Sequence, residues 1–102
     1  MSIFTKIDNI SIADFKKILP NHPNVIDVRR VDEFNEGHII GAASVPYKTI
    51  NQYKPVGKTY IICHSGVNSR KSAKKLTAKG YDVVNILGGM IEWDGEVAKG
   101  NK

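Results

Sequence analysis

The chain has a single cysteine, Cys63. One thiol excludes an intrachain disulfide and a cysteine-rich zinc site. Long hydrophobic runs are missing as well: no apolar stretch exceeds a few residues, far short of the ~20 needed to cross a bilayer. There are no internal repeats, low-complexity tracts or linker-like segments. Gly57-Lys58-Thr59 ends like a phosphate-binding loop, but the glycine needed five places earlier is Gln52, and the segment precedes a strand instead of following one. No Gly-x-Ser-x-Gly occurs, which leaves a serine hydrolase without support. His22, His38 and His64 lack metal-ligand spacing, so neither a metal nor a cofactor is expected. Met1 to Asp8 mixes Lys6 with Ile3 and Phe4 and has no signal-peptide stretch. With no disulfide framework, the expectation is a reducing cytoplasm and no membrane association.

What is present is ordinary globular material. In 102 residues, 41% are hydrophobic and 25% charged, which excludes disorder or a collagen-like repeat as a reading of the whole chain. The length fits one domain, 1–102, that hides roughly two-thirds of its unfolded surface. The unusual bulk quantity is a formal charge of +5, which raises an anionic partner as a question.

Periodicity gives the elements. Ser11-x-x-Asp14 is a capping pattern ahead of a short amphipathic helix with Ile12, Phe15, Ile18 and Leu19 on one face, stopped at Pro20. Val25 to Val28 reads as a strand. Asp32 to Phe34 reads as a helical turn closed by Gly37, and Ala42 to Val45 as another strand ended by Pro46. Thr59-Tyr60-Ile61-Ile62-Cys63 is apolar on both faces, the mark of a central strand covered from both sides. A helix is expected from about Arg70 to Lys79, with Ser69 as N-cap and Gly80 as its stop. Tyr81 to Ile86 is a further strand, Gly88-Gly89 a turn, and Met90 to Trp93 a last short helix. Helices alternating with short apolar strands predict an α/β fold on a small, mostly parallel sheet. Ligands in such sheets bind beyond the carboxyl ends of the strands, and Cys63 ends the clearest strand.

The segment Cys63-His64-Ser65-Gly66-Val67-Asn68-Ser69-Arg70 carries the chemistry. A cysteine is a nucleophile as the thiolate, and helix N-termini lower cysteine pKa values to about 3.5–7.5 from about 8.5. Gly66 and small polar neighbours let successive backbone N–H groups converge on an anion. A lone cysteine is often a buried, inert hydrophobe, but here polar and flexible residues follow it, which favours a functional thiol. Arg70 and Lys71, placed in the first helical turn, oppose the macrodipole at about 0.3–1 kcal/mol each and would attract an anionic substrate.

These residues resemble a known family, the single-domain rhodanese sulfurtransferases. The resemblance runs nearly end to end. It takes in the helix from Ser11; Ile26-Asp27-Val28-Arg29 with Glu33 and Phe34; Gly37-His38-Ile39 with Gly41-Ala42; and Ser44-Val45-Pro46. It continues through Cys63 and its loop to Leu87-Gly88-Gly89-Met90 and Glu92-Trp93. It implies a rhodanese-like three-layer fold. It also implies that Cys63 takes a sulfane sulfur from thiosulfate or a persulfide and passes it to a thiol, cyanide or a protein such as a thioredoxin-like or sulfur-carrier protein. The backbone of His64, Ser65, Gly66, Val67, Asn68 and Ser69 would cradle the persulfide. Asp27 and Arg29 would support the loop, His38 would be a turn residue and Trp93 a core anchor. Many members carry Arg just before the loop Ser; here that place is Asn68, and Arg70 follows the Ser, which bears on donor preference.

Three rivals stand beside this reading. A cysteine phosphatase or arsenate reductase needs an Arg five intervening residues after the Cys; that place is Ser69, and a loop this short suits one sulfur better than a tetrahedral oxyanion. A non-enzymatic or relay module that docks a partner would look identical in sequence. Nucleic-acid binding has no motif, and the aromatics are not interleaved with the cations. The surplus charge instead has an address. Arg70, Lys71, Lys74, Lys75 and Lys79 lie within ten residues that contain no acid, and the rest of the chain is balanced. Such a helix suits an anionic substrate or an acidic partner.

Overall fold

The computed structural model describes residues 6–100; residues 1–5, part of the segment read above for an export signal, lie outside them. Five strands form one parallel sheet: β1 (Asp8–Ile10), β2 (Asn24–Asp27), β4 (Ala43–Ser44), β5 (Thr59–Ile62) and β6 (Val83–Ile86), in the order β1-β6-β5-β2-β4. β3 (His38–Ile39) and β7 (Val97–Ala98) make a separate antiparallel pair. The expected central strand is central: Ile61 of β5 sits between Ile26 of β2 and Asn85 of β6.

Alternation along the strands builds the two faces. Ile26, Val28, Ile61 and Cys63 join Ala73 and Leu76 of α3 (Val67–Ala78) in one core; Val25, Ile62 and Ile86 join Phe15 of α1 (Ile12–Ile18) in the other. The layers are therefore α3, sheet and α1, which is why the strands read as apolar throughout. Among the described residues no helix is long and apolar enough to cross a membrane.

The capping of α1 is as expected: Ser11 Oγ accepts from the Asp14 N–H at 3.1 Å. Pro20 does not end the chain's helical path outright, because a 3₁₀ turn, Leu19–Asn21, takes it up. α2 (Val31–Glu36) closes at Gly37 as predicted. α3 corrects the sequence reading. It begins at Val67 with Gly66 as N-cap, not near Arg70 with Ser69 as N-cap. Gly66 has φ +98°, a left-handed conformation that turns the chain sharply from strand to helix. The sheet-facing side of α3 is Ser69, Ser72, Ala73 and Leu76, all buried. Small residues near its start let the helix settle close over the end of β5.

Candidate active site

β5 delivers Cys63 to the carboxyl edge of the sheet, where it is 3% exposed. Only His64, Ser65 and Gly66 separate β5 and Cys63 from α3, so the loop folds back over its own sulfur. The Gly66 N–H donates to Sγ at 3.0 Å. The Cys63 thiol donates to Ser69 Oγ at 3.3 Å, and with the sulfur ionised the same hydroxyl can donate back. The first intrahelical bond of α3 runs from the Arg70 N–H to the Gly66 carbonyl at 3.3 Å. The N–H groups of Val67, Asn68 and Ser69 thus belong to the opening turn, where helices have no internal acceptors.

A second segment holds the loop. The Met90 N–H donates to the Cys63 carbonyl at 2.8 Å, and the Ile91 N–H to the His64 carbonyl at 2.9 Å. Gly89, with φ +67°, presses against the loop so closely that a Cβ would lie 2.4 Å from the His64 carbonyl oxygen. Gly88-Gly89 is legible in the sequence as a turn, but nothing in a single sequence places that turn against Cys63.

Asp27 and Arg29 stiffen the neighbouring wall. Arg29 Nη2 donates to Asp27 Oδ2 at 2.8 Å and to the Gly37 carbonyl at 2.7 Å, and the Arg29 N–H donates to Asp27 Oδ1 at 3.0 Å. Asp27 is fully buried and the Arg29 side chain nearly so. The bidentate fork fixes the chain between β2 and α2. His38 is buried too. Its Nδ1–H donates to the Phe34 carbonyl at 2.9 Å, and its ring stacks on Phe34 at 3.7 Å. Trp93 lies in the α1 core, 6.2 Å from Phe15.

A cavity of about 590 Å³ opens on the β2 side of the thiol. Of the sequence candidates, Cys63, His64, Asn68 and Arg29 line it. Of the remaining loop positions, Gly66 and Ser69 bond to the sulfur, whereas Ser65 and Val67 are exposed. Arg70 and Lys71, expected to draw in an anionic substrate, are exposed on the outer face of α3 and do not line the cavity. The cations that do, beyond Arg29, are Arg30 and Lys48, which sequence order gave no reason to group with Cys63. Arg30 pairs with Asp32. Hydrogen bonding to Arg30 holds the Asp32 carboxyl below the usual carboxylate range, and the same pair raises Arg30. Lys48 has no ion-pair partner among the described residues.

Residues 11–96 match the model of the rhodanese-like domain. The chain belongs to the rhodanese-like family. Among relatives of this rhodanese-like chain, "Putative sulfurtransferase YtwF" of Bacillus subtilis is 35% identical over 94% of this chain and 99% of its own. "Putative sulfur carrier protein YrkF" of the same organism is 32% identical over 90% of this chain, which spans only 54% of that protein. A rhodanese-like domain protein from Staphylococcus aureus superposes with a TM-score of 0.81 at 31% identity, covering 92% of this chain and 99% of that one. The chain spans less than two-thirds of the length of several curated relatives it matches. The expected three-layer α/β fold and the family are thereby established.

Proposed function

We infer that the domain is a sulfurtransferase working through a Cys63 persulfide. The observation that carries this reading is the near-buried sulfur at the strand end, with the Gly66 N–H and the Ser69 hydroxyl on Sγ and a cavity before it. The Cys63 thiolate attacks the sulfane sulfur of thiosulfate. The S–S bond breaks and sulfite leaves with the bonding pair, giving Cys63–S–S⁻. A thiolate or cyanide then attacks the outer sulfur, and Cys63 thiolate leaves. No cofactor enters, because both steps are displacements at sulfur. The thiolate that attacks and the persulfide that forms both carry negative charge on sulfur, where the loop N–H groups from His64 to Ser69 can hold it.

The loop favours this over phosphate chemistry. With α3 starting at Val67, only His64, Ser65 and Gly66 link Cys63 to the helix, and the position from which a phosphatase would supply its arginine is Ser69, whose hydroxyl lies on the sulfur. The relatives named for sulfur transfer and sulfur carriage support the same assignment. A lone reduced thiol of this kind suits a reducing cytoplasm.

The test is an intact mass after incubation with thiosulfate. The expected result is a gain of one sulfur, reversed by a thiol and absent in Cys63→Ser. No gain with thiosulfate, or with a persulfide or polysulfide donor, would sink the reading. Hydrolysis of a phosphate ester, assayed alongside, should stay at background.

A further inference from the structure

We propose that the outer face of α3, together with the Leu87–Ile91 turn, docks an acidic segment of a partner protein that exchanges sulfur with Cys63. The inference rests on the sulfurtransferase reading for its purpose, and on a separate set of observations for its location.

At 100° per residue, Val67, Arg70, Lys71 and Lys74 share the side of α3 opposite its buried residues. The five cations of the helix therefore divide. Lys75 lies over the Tyr47 ring at 4.9 Å, and Lys79 Nζ donates to the Asn51 carbonyl at 3.1 Å, so both lean toward the 3₁₀ segment Tyr47–Gln52. Arg70, Lys71 and Lys74 remain on the open face. None has an ion-pair partner among the described residues, and residues 67–81 contain no acid.

An apolar rim continues this face at the reactive loop. Val67, Leu87 and Ile91 are 56%, 47% and 66% exposed. The backbone segments that carry them are adjacent: a Cβ on Gly66 would stand 3.5 Å from the Gly88 nitrogen, and the Ile91 N–H donates to the His64 carbonyl. The Glu92 carboxylate borders the rim, against Gly88. Three unpaired cations beside three exposed aliphatic residues match carboxylates interspersed with an apolar side chain. Desolvated aliphatic contact gives affinity, while the charges steer approach and select the partner. The cavity lies on the β2 side of the loop and the Leu87–Ile91 turn follows β6, so a small donor in the cavity leaves this face open to a protein segment.

The experiment uses three synthetic peptides with one cysteine and one leucine, set among glutamates, glutamines or lysines. Amide shifts of the isotope-labelled protein locate binding without requiring any sulfur transfer. The glutamate peptide should move the amides of residues 67–74 and 87–91, and added salt should weaken the effect. Perturbation elsewhere, or equally by the glutamine peptide, overturns the proposal. With persulfide-loaded protein, transfer to the glutamate peptide should be at least about 10-fold faster than to the lysine peptide at low salt. The double variant Lys71→Glu/Lys74→Glu should erase that gap while loading from thiosulfate is unchanged. Both positions are exposed sites inside α3 and glutamate is a good helix former, so the variant should keep its fold. A preference that survives the double variant removes the docking face. Failure to load sulfur at all counts against the Cys63 reading, and the shift map then still decides the surface.

Discussion

Ser69 is the third residue of α3, yet its hydroxyl serves the sulfur and not the helix. It is fully buried and lies 3.3 Å from Sγ. Hydrogen bonds to charged groups contribute about 1.5–3 kcal/mol. Ser69→Ala should therefore slow persulfide formation about 10- to 100-fold, if the bond is made most strongly as charge shifts onto the sulfurs. Alanine suits a buried helical site, so the midpoint of thermal unfolding should move by only a few degrees; an unaltered loading rate would remove Ser69 from the cradle. Gly89 acts at the same scale through backbone alone. A methyl group there meets the His64 carbonyl oxygen, which belongs to main chain and cannot swing aside. With the left-handed φ added, Gly89→Ala should cost about 1–3 kcal/mol. It should also lower sulfur loading, because the displaced atoms belong to the Cys63 loop. Urea unfolding and the mass assay measure the two effects separately.

At the scale of elements, α1, α2, β2, β5 and β6 were legible because each carries its pattern within itself. Thr59–Ile62 is apolar on both faces and proves central. The start of α3 was not legible. Ser69 looks like a capping residue, but its hydroxyl is claimed by Cys63 and the turn is made by Gly66. β1, β3 and β7 are two- or three-residue strands, too short for periodicity to show. Of the site, Cys63 and its loop were readable as a contiguous segment. Arg30 and Lys48 were not, because only the pairing of β2 with β5 and β4 brings their loops beside the thiol. The Asp27–Arg29 pair shows how such a loop is held. Breaking a buried pair by removing one charge costs about 3–5 kcal/mol. Asp27→Asn should lower the urea midpoint accordingly, and more than Arg29→Lys, which keeps the charge but loses the fork. Equal stability in all three proteins would show that the loop is fixed by other contacts.

On the scale of the whole molecule, the positive charge divides between two surfaces, the cavity wall and the outer face of α3. The α3 face lies outside the cavity, so Arg70 is poorly placed to bind a small donor, whereas Lys48 lines the cavity and has no ion-pair partner. Lys48→Ala should raise the thiosulfate KM several-fold, by about the 0.2–1 kcal/mol range of exposed charge contacts. Arg70→Ala should raise it less, and the reverse order would return the donor site to the helix. Arg30 lines the same cavity, but Asp32 occupies its guanidinium. Because Arg30 holds the Asp32 carboxyl below its usual range, the pair stays ionised through neutral and mildly acidic pH. Its small contribution to stability is present above the ordinary carboxylate pKa and is lost only as pH falls through the lowered value. Thiosulfate KM should then show no inflection from this pair between about pH 5 and 8. Asp32→Asn should free Arg30 and lower KM about twofold at neutral pH. An Asp32→Asn variant with unchanged KM at every pH would mean that Arg30 never meets the donor, leaving Lys48 as the cation that draws it in.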